Sequence, residues 1–277
     1  MAFYGIDVSY YQGTIDWQKV QVNGPDFCFV RMGYANGDGT LTIDSEFENN
    51  MNGIADTCID TGVYLYSYLR TEQAAVEAAG EFLAIAQNYC LTMPLVFDLE
   101  NTEIYGSLGK ELTTGIAQTF LGRVRDAGYY PMLYSNPNFV ENYLNIADLE
   151  EFDFWVADYR SFIRYTGPYG IWQYTDQGVI DGIGSRVDLD IAYRDYPAII
   201  KSEGYNHLPS WRRILPGSRV KIRSTATVYA NSSVVIPPCV RQAEYKVLKV
   251  CGRTALLSCI NSWVWLEDLE LIQGPTE

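Results

Sequence analysis

Histidine is nearly missing from this chain: one residue in 277, His207. Ser-His-Asp and Cys-His mechanisms need an imidazole beside the nucleophile, and His207 falls in a stretch that reads as a linker. Most such mechanisms are therefore excluded. The six cysteines are Cys28, Cys58, Cys90, Cys239, Cys251 and Cys259, and no two of them stand two residues apart. With a single histidine, that pattern argues against a Cys/His zinc site. Neither a metal nor a cofactor is expected. No apolar run approaches the ~20 residues a membrane span requires. No secretory leader is expected either, because Met1-Ala-Phe-Tyr-Gly-Ile-Asp7 reads as entering a strand at once, without a basic start. The expectation is synthesis in a cytoplasm, with any export by another route and with buried free thiols rather than disulfides. Basic residues are scarce as well, 20 against 34 acidic for a net charge of −14, which argues against a nucleic-acid partner.

What is present is apolar and rich in tyrosine. Hydrophobic residues make up 48%, enough for a full core, and 22 residues are Tyr, whose ring and polar tip suit sugar stacking as well as core edges. Charge is uneven. Residues 1–204 hold 29 acidic and 11 basic side chains, whereas residues 205–277 hold 5 and 9. The basic C-terminal part is either drawn to an anionic envelope or simply solvated.

The first 195 residues alternate strand-like and helix-like stretches. Short apolar runs at Phe3–Val8, Phe27–Met32, Val63–Tyr68, Pro94–Leu99, Pro131–Ser135, Phe154–Tyr159, Gly170–Tyr174 and Val187–Ala192 read as buried parallel strands. Thr71–Tyr89 reads as a helix behind a Thr cap. Lys110–Ala127 carries Ile116, Phe120 and Val124 at four-residue spacing and stops at Gly128. Eight strands with fewer helices predict an α/β fold, a parallel barrel in which not every strand has its helix. Residues 197–213 read as a linker with a short helix around Ala198–Ser202. Beyond it, Val220–Ile222, Ala226–Tyr229, Tyr245–Val250, Ala255–Cys259 and Trp263–Leu266 predict a small all-β barrel over 214–277.

Acidic residues recur at strand ends. In Pro94-Leu-Val-Phe-Asp98-Leu-Glu100, alternation puts Asp98 and Glu100 on one face, roughly 7 Å apart at Cα. Repulsion between two such carboxylates raises one pKa, which gives a proton donor beside an anion, as glycosidic cleavage needs. The same pair would also serve as a helix cap or a solvated turn. Asp7 is the single charge of the first strand. Asp188 and Asp190 share a face of the last strand, which neighbours the first in a closed barrel. Aromatics recur at the same rim: Tyr66 and Tyr68, Tyr134, Trp155 and Tyr159, and Trp172 with Tyr174. Core packing is the competing explanation and is the one expected for Trp155.

Taken together, Gly5-Ile-Asp7-Val-Ser-Tyr-Tyr-Gln12-Gly13 with Ile15-Asp16-Trp17, Phe97-Asp98-Leu-Glu100, Leu133-Tyr134-Ser135-Asn136, Trp155-Val-Ala157-Asp158-Tyr159, Trp172-Gln173-Tyr174-Thr175 and Val187-Asp188-Leu-Asp190 resemble glycoside hydrolase family 25, the lysozymes of phage endolysins and bacterial autolysins. The resemblance covers Phe3 to about Tyr196 and implies a flattened (β/α)-type barrel with fewer helices than strands. It implies a catalytic domain over 1–196 that cuts the β-1,4 bond between N-acetylmuramic acid and N-acetylglucosamine in peptidoglycan. It implies Glu100 as proton donor and Asp98 as the group that stabilises charge or orients the 2-acetamido group, with Asp7 and Asp188 completing the cluster. Tyr66, Tyr68, Tyr134, Trp172 and Asp190 would then contact sugar. The family's Tyr-His-Phe after the third strand is here Tyr64-Leu-Tyr66-Ser-Tyr68. The C-terminal stretch resembles bacterial SH3-like wall-binding domains, which implies a role for Trp263, Trp265 and Tyr229. An oxazolinium and an aspartyl intermediate both stay open. One rival is a non-catalytic peptidoglycan-binding protein on the same fold. Another is a barrel enzyme acting on phosphorylated small molecules, but Gly178, Gly182 and Gly184 make a poor phosphate cradle in an acidic loop. On the lysozyme reading, the protein acts on the cell wall after release. Oligomeric state is not legible.

Overall fold

A computed structural model describes residues 2–22, 24–208 and 214–275. The chain divides into two compact units, Met1–Ile54 with Ile59–His207, and Ala55–Cys58 with Leu208–Glu277.

The first unit is a closed barrel of eight strands. They are β1 (Phe3–Val8), β2 (Phe27–Ala35), β4 (Asp60–Ser67), β5 (Leu95–Asp98), β6 (Pro131–Ser135), β7 (Asp153–Ala157), β8 (Ile171–Gly178) and β9 (Val187–Ala192). Short β3 (Leu41–Ile43) pairs with the far end of β2. The order is β1-β9-β8-β7-β6-β5-β4-β2, closed by pairing of β1 with β2. All eight strands expected from apolar runs are present. The expectation of parallel strands fails at one of them, because β9 runs antiparallel to both β8 and β1. The loop from Gly178 to Val187 is too short to cross the barrel, so the chain turns straight back. As a result the start of β9, not its end, lies beside the C-terminal end of β1.

Helices cover the barrel unevenly. The long ones are α3 (Glu72–Ala86), capped by Thr71, and α5 (Lys110–Asp126), which ends before Gly128 at φ 81°. Gly128 tolerates that left-handed turn at little cost. Phe82 of α3 meets Phe120 of α5, and Phe120 in turn stacks on Phe97 of β5. Each such buried ring contributes roughly 2–3 kcal/mol of apolar burial. Four shorter helices were not expected: α1 (Trp17–Val20), α2 (Phe47–Ile54), α4 (Thr102–Tyr105) and α6 (Pro137–Tyr143). Three start at side-chain caps, Asp16, Asn101 and Asn136. The fourth, α2, holds Asn and Gly and is stabilised by burying Phe47, Met51 and Ile54 at helical spacing.

Residues 196–207, read as the start of a linker, are ordered on the first unit as α7 (Tyr196–Glu203) and a 3-10 turn at Tyr205–His207. Asn206 is buried there. It accepts from the Tyr130 amide at 2.9 Å and donates to the Leu91 and Met93 carbonyls at 3.0 and 2.9 Å. His207 hydrogen-bonds the Ala127 carbonyl at 2.6 Å. The remaining expected linker residues 209–213 lie outside the described residues.

The second unit is a five-stranded antiparallel sheet. Its strands are β10 (Arg219–Ile222), β11 (Glu244–Cys251), β12 (Thr254–Leu257), β13 (Ser262–Trp265) and β14 (Leu269–Gln273), in the order β13-β12-β11-β10-β14. One short helix, α8 (Pro238–Gln242), precedes β11. The expected strand at Ala226–Tyr229 is reduced to a single bridge, Val228 to Val235, and β14 takes its place beside β10. The core is Val220, Ile222, Val247, Leu257, Val264 and their neighbours. Cys58 and Cys251 form a disulfide with Cα atoms 4.9 Å apart, which corrects the expectation of free thiols for these two. Their spacing of 193 residues hides the pairing from the sequence. Cys28 is a buried thiol, whereas Cys239 and Cys259 are exposed. No helix among the described residues is long and apolar enough to cross a membrane.

Candidate active site

Strand register assembles most of the site. Parallel pairing of β4, β5, β6 and β7 sets Tyr66 beside Asp98, Asp98 beside Tyr134, and Tyr134 beside Trp155. On the other seam, Asp7 of β1 pairs with Asp188 of β9. Side chains at matched positions of neighbouring strands face the same way, so these rows meet at one end of the barrel. There they line a cleft of about 360 Å³ holding Asp7, Asp98, Glu100 and Asp188 among Tyr66, Tyr68 and Tyr134. Four carboxyl groups from three distant stretches thus share one cavity. Below them the barrel is plugged by aromatics, with Trp155 stacked on Phe29 at 4.7 Å between ring centroids.

One amide ties the floor together. Gln173 of β8 is buried; its Nε2 donates to Asp7 Oδ2 at 2.6 Å. Its Oε1 accepts from the Tyr134 and Tyr159 hydroxyls at 2.9 and 2.8 Å. Asp98 is only 4% exposed, and its Oδ1 has no hydrogen-bond partner among the described residues. Burial and the neighbouring Glu100 carboxylate push Asp98 well above the usual carboxylate range, against a small downward pull from Arg31. Burial, Asp190 and Asp188 do the same to Asp7, while the Gln173 bond opposes it. Glu100 is raised by burial and by Asp188, and a hydrogen bond from Asn136 holds it back. Asp188 is raised to about 6, by burial and then by Asp176. The cluster therefore holds its protons to higher pH than free carboxyl groups would, because several charges cannot share a dry cavity.

Glu100 lies two residues past the end of β5 and looks two ways. It also lines a second cavity, of about 370 Å³, together with Tyr134 and Tyr159. The carboxyl group of Glu100 is thus shared by both cavities.

Residues 6–183 match the glycosyl hydrolases family 25. The chain belongs to this family. Among relatives, the uncharacterized protein YegX of Escherichia coli O157:H7 is 30% identical over 197 residues, 68% of each chain. An autolytic lysozyme of Clostridium acetobutylicum is 25% identical over 187 residues, covering 67% of this chain and 54% of that protein. Of solved structures, the modular autolysin LytC from Streptococcus pneumoniae superposes with a TM-score of 0.62 at 29% identity, over 69% of this chain and 47% of its own. This chain thus spans about half the length of that lysozyme and of LytC. The spore cortex lytic enzyme SleM of Clostridium perfringens shares the fold over 99% of this chain and 98% of its own, with a TM-score of 0.64 at 18% identity.

In this family 25 domain, two expected sugar contacts lie elsewhere. Trp172 does not line the cleft. Alternation along β8 turns Gln173 inward and Trp172 outward, where its indole donates to the Asp158 carbonyl at 2.9 Å. Asp190 is fully buried beneath the cleft and accepts from the Trp155 indole at 2.8 Å. It lies two residues into β9 beyond Asp188, which in an antiparallel strand means deeper into the barrel. Trp155 is buried, as expected, and also borders the cleft floor.

Other residues of the family 25 cleft escaped the sequence reading. Gln173 was visible only as a motif member, although alternation with Trp172 would have pointed it inward. Arg31 lines the cleft too, with its guanidinium paired to the buried Asp44 at 2.7 Å and set over the Tyr10 and Tyr11 rings. Nothing local in Val30-Arg31-Met32 marks it, since its partner arrives from beyond β3. In the second unit, Trp263 and Trp265 flank the buried Val264 and stand half-buried on the outer face of β13, and Tyr229 packs against the edge of the core.

Proposed function

We propose that this chain is an N-acetylmuramidase that hydrolyses the β-1,4 bond between N-acetylmuramic acid and N-acetylglucosamine in peptidoglycan. The observation that carries the reading is the position of Glu100. It is a carboxyl group with a raised pKa at the junction of two cavities, backed by three further acids. Glu100 protonates the glycosidic oxygen as the bond to the anomeric carbon breaks. Asp98, beneath it with one oxygen unpartnered, meets the developing positive charge or orients the 2-acetamido group. Asp7 and Asp188 complete the acidic wall, and Gln173 holds Asp7 in place. Tyr66, Tyr68 and Tyr134 offer ring faces to the sugars. The autolytic lysozyme of Clostridium acetobutylicum and the LytC structure with a synthetic peptidoglycan ligand support the choice of glycan.

The second unit serves, in this proposal, as an SH3-like wall-binding domain over 214–277 that uses Trp263, Trp265 and Tyr229. The protein then reaches the wall after release, as an endolysin or autolysin does.

Glu100→Gln keeps the shape of the side chain and removes the proton. It is expected to lower the rate of wall lysis at least ~10³-fold. Digests by the unmutated protein are expected to show new muramic acid reducing ends. Glucosamine ends, free amines, or lysis by Glu100→Gln at the parental rate would overturn the assignment.

A further inference from the structure

The second cavity differs in charge from the cleft it joins. Besides the shared Glu100, Tyr134 and Tyr159, it is lined by Asn136, Asn138, Arg160 and Arg164. Residues 1–204 hold only 11 basic side chains beside 29 acidic ones, yet here two guanidinium groups share one cavity wall and offset the Asp158 and Glu100 carboxyl groups that also line it. Asp158 sets their position. Its Oδ1 accepts from Arg160 Nε at 2.9 Å, and its Oδ2 accepts from the Arg164 backbone amide at 2.8 Å. The carboxylate is nearly buried and both its oxygens are engaged with this loop. No ion pair involves the Arg164 guanidinium among the described residues. One Asp thus neutralises one Arg, and a cationic group is left facing the cavity.

We infer that this cavity seats a carboxylate carried by the glycan, with Arg164 as the principal contact and Arg160 beside it. The inference rests on the muramidase reading. A muramic acid unit bears a lactyl ether that ends in a carboxyl group or in a stem peptide with carboxylates of its own. In the cleft such an anion would meet Asp7, Asp98 and Asp188. One step along the same groove it meets a guanidinium, whose planar fork matches a carboxylate. The charge pattern therefore fixes which substituents the enzyme accepts on the far side of Glu100, and makes it a reader of free against amidated carboxyl groups. Each partly exposed pair of this kind is worth up to about fivefold in affinity.

The test uses the full chain carrying Glu100→Gln, which binds without cutting, and calorimetry with three muramic acid-containing tetrasaccharides. One has stem peptides with free carboxylates, one has the same peptides amidated, and one is stripped of peptide to expose the lactyl carboxylate. The free form is expected to bind about five- to tenfold tighter than the amidated form at low salt, with the preference shrinking as salt rises. Tight binding by the stripped form assigns the lactyl group; weak binding assigns the stem peptide. Adding Arg164→Gln is expected to bring the ratio of free to amidated affinity close to one, and Arg164→Lys to retain much of it. A ratio unchanged by Arg164→Gln, or a Glu100→Gln chain without preference, overturns the inference alone, provided the chain with Glu100 intact still releases muramic acid ends. Absence of both cleavage and binding overturns the muramidase reading and this one with it.

Discussion

At the scale of single residues, the site stores electrostatic strain. Asp188 titrates near 6 when folded, against an ordinary value of 3.8. Between those values the folded state binds more protons than the unfolded chain, so stability is greatest below the window and falls as pH rises through it. Asp188→Asn removes the penalty. The variant is expected to melt above the parent at pH 7 and to show a flatter Tm profile across that window, while wall lysis drops. A variant that melts below the parent at pH 7 would show that Asp188 supports the fold rather than straining it. Such a trade of stability for function is common where charges are held together for chemistry. Asp7, Asp98 and Asp190 are shifted the same way and reinforce the trend.

At the scale of elements, caps connect the fold to the chemistry. Asn136 ends β6 and starts α6, its Oδ1 accepting from the Phe139 amide at 3.0 Å. The same side chain hydrogen-bonds Glu100 and keeps its pKa from rising further. Asn136→Ala is therefore expected to do two things. It lowers stability by about 1 kcal/mol, as loss of an N-cap does. It also raises the Glu100 pKa, so the basic limb of the pH–rate profile moves to higher pH. Chemical denaturation and a profile of initial rates check the two separately, and a limb that moves downward contradicts the assignment of Glu100. The cap Thr71 makes α3 legible, whereas α6 is not read from the sequence although Asn136 caps it in the same way. By contrast α2 has no such signal and forms because the barrel offers its apolar face somewhere to go.

At the scale of the whole molecule, acidic and basic side chains segregate along the chain, and the two units have separate cores. If the second unit grips the wall through β13, replacing both Trp263 and Trp265 by Ala should weaken binding of the full chain to purified walls. The expected loss is at least about 30-fold in Kd, since even one aromatic anchor contributes ~2 kcal/mol. Hydrolysis of soluble fragments should hardly change. Pull-down on insoluble walls beside a soluble assay checks this, and equal loss in both would place those tryptophans in the fold instead.

The sequence by itself determined the eight barrel strands, the two long helices and the positions of Asp7, Asp98, Glu100 and Asp188 at strand ends, because apolar runs and alternation are local properties of the chain. Only the tertiary structure decided the reversal of β9, and that reversal puts Asp188 in the cleft and Asp190 beneath it. Only the tertiary structure made Gln173 the link between Asp7 and two tyrosines, sent Trp172 outward, and brought Arg31 onto Asp44. These depend on which strand lies next to which and in what direction, and a contact between residues 166 positions apart leaves no trace in the neighbours of either one.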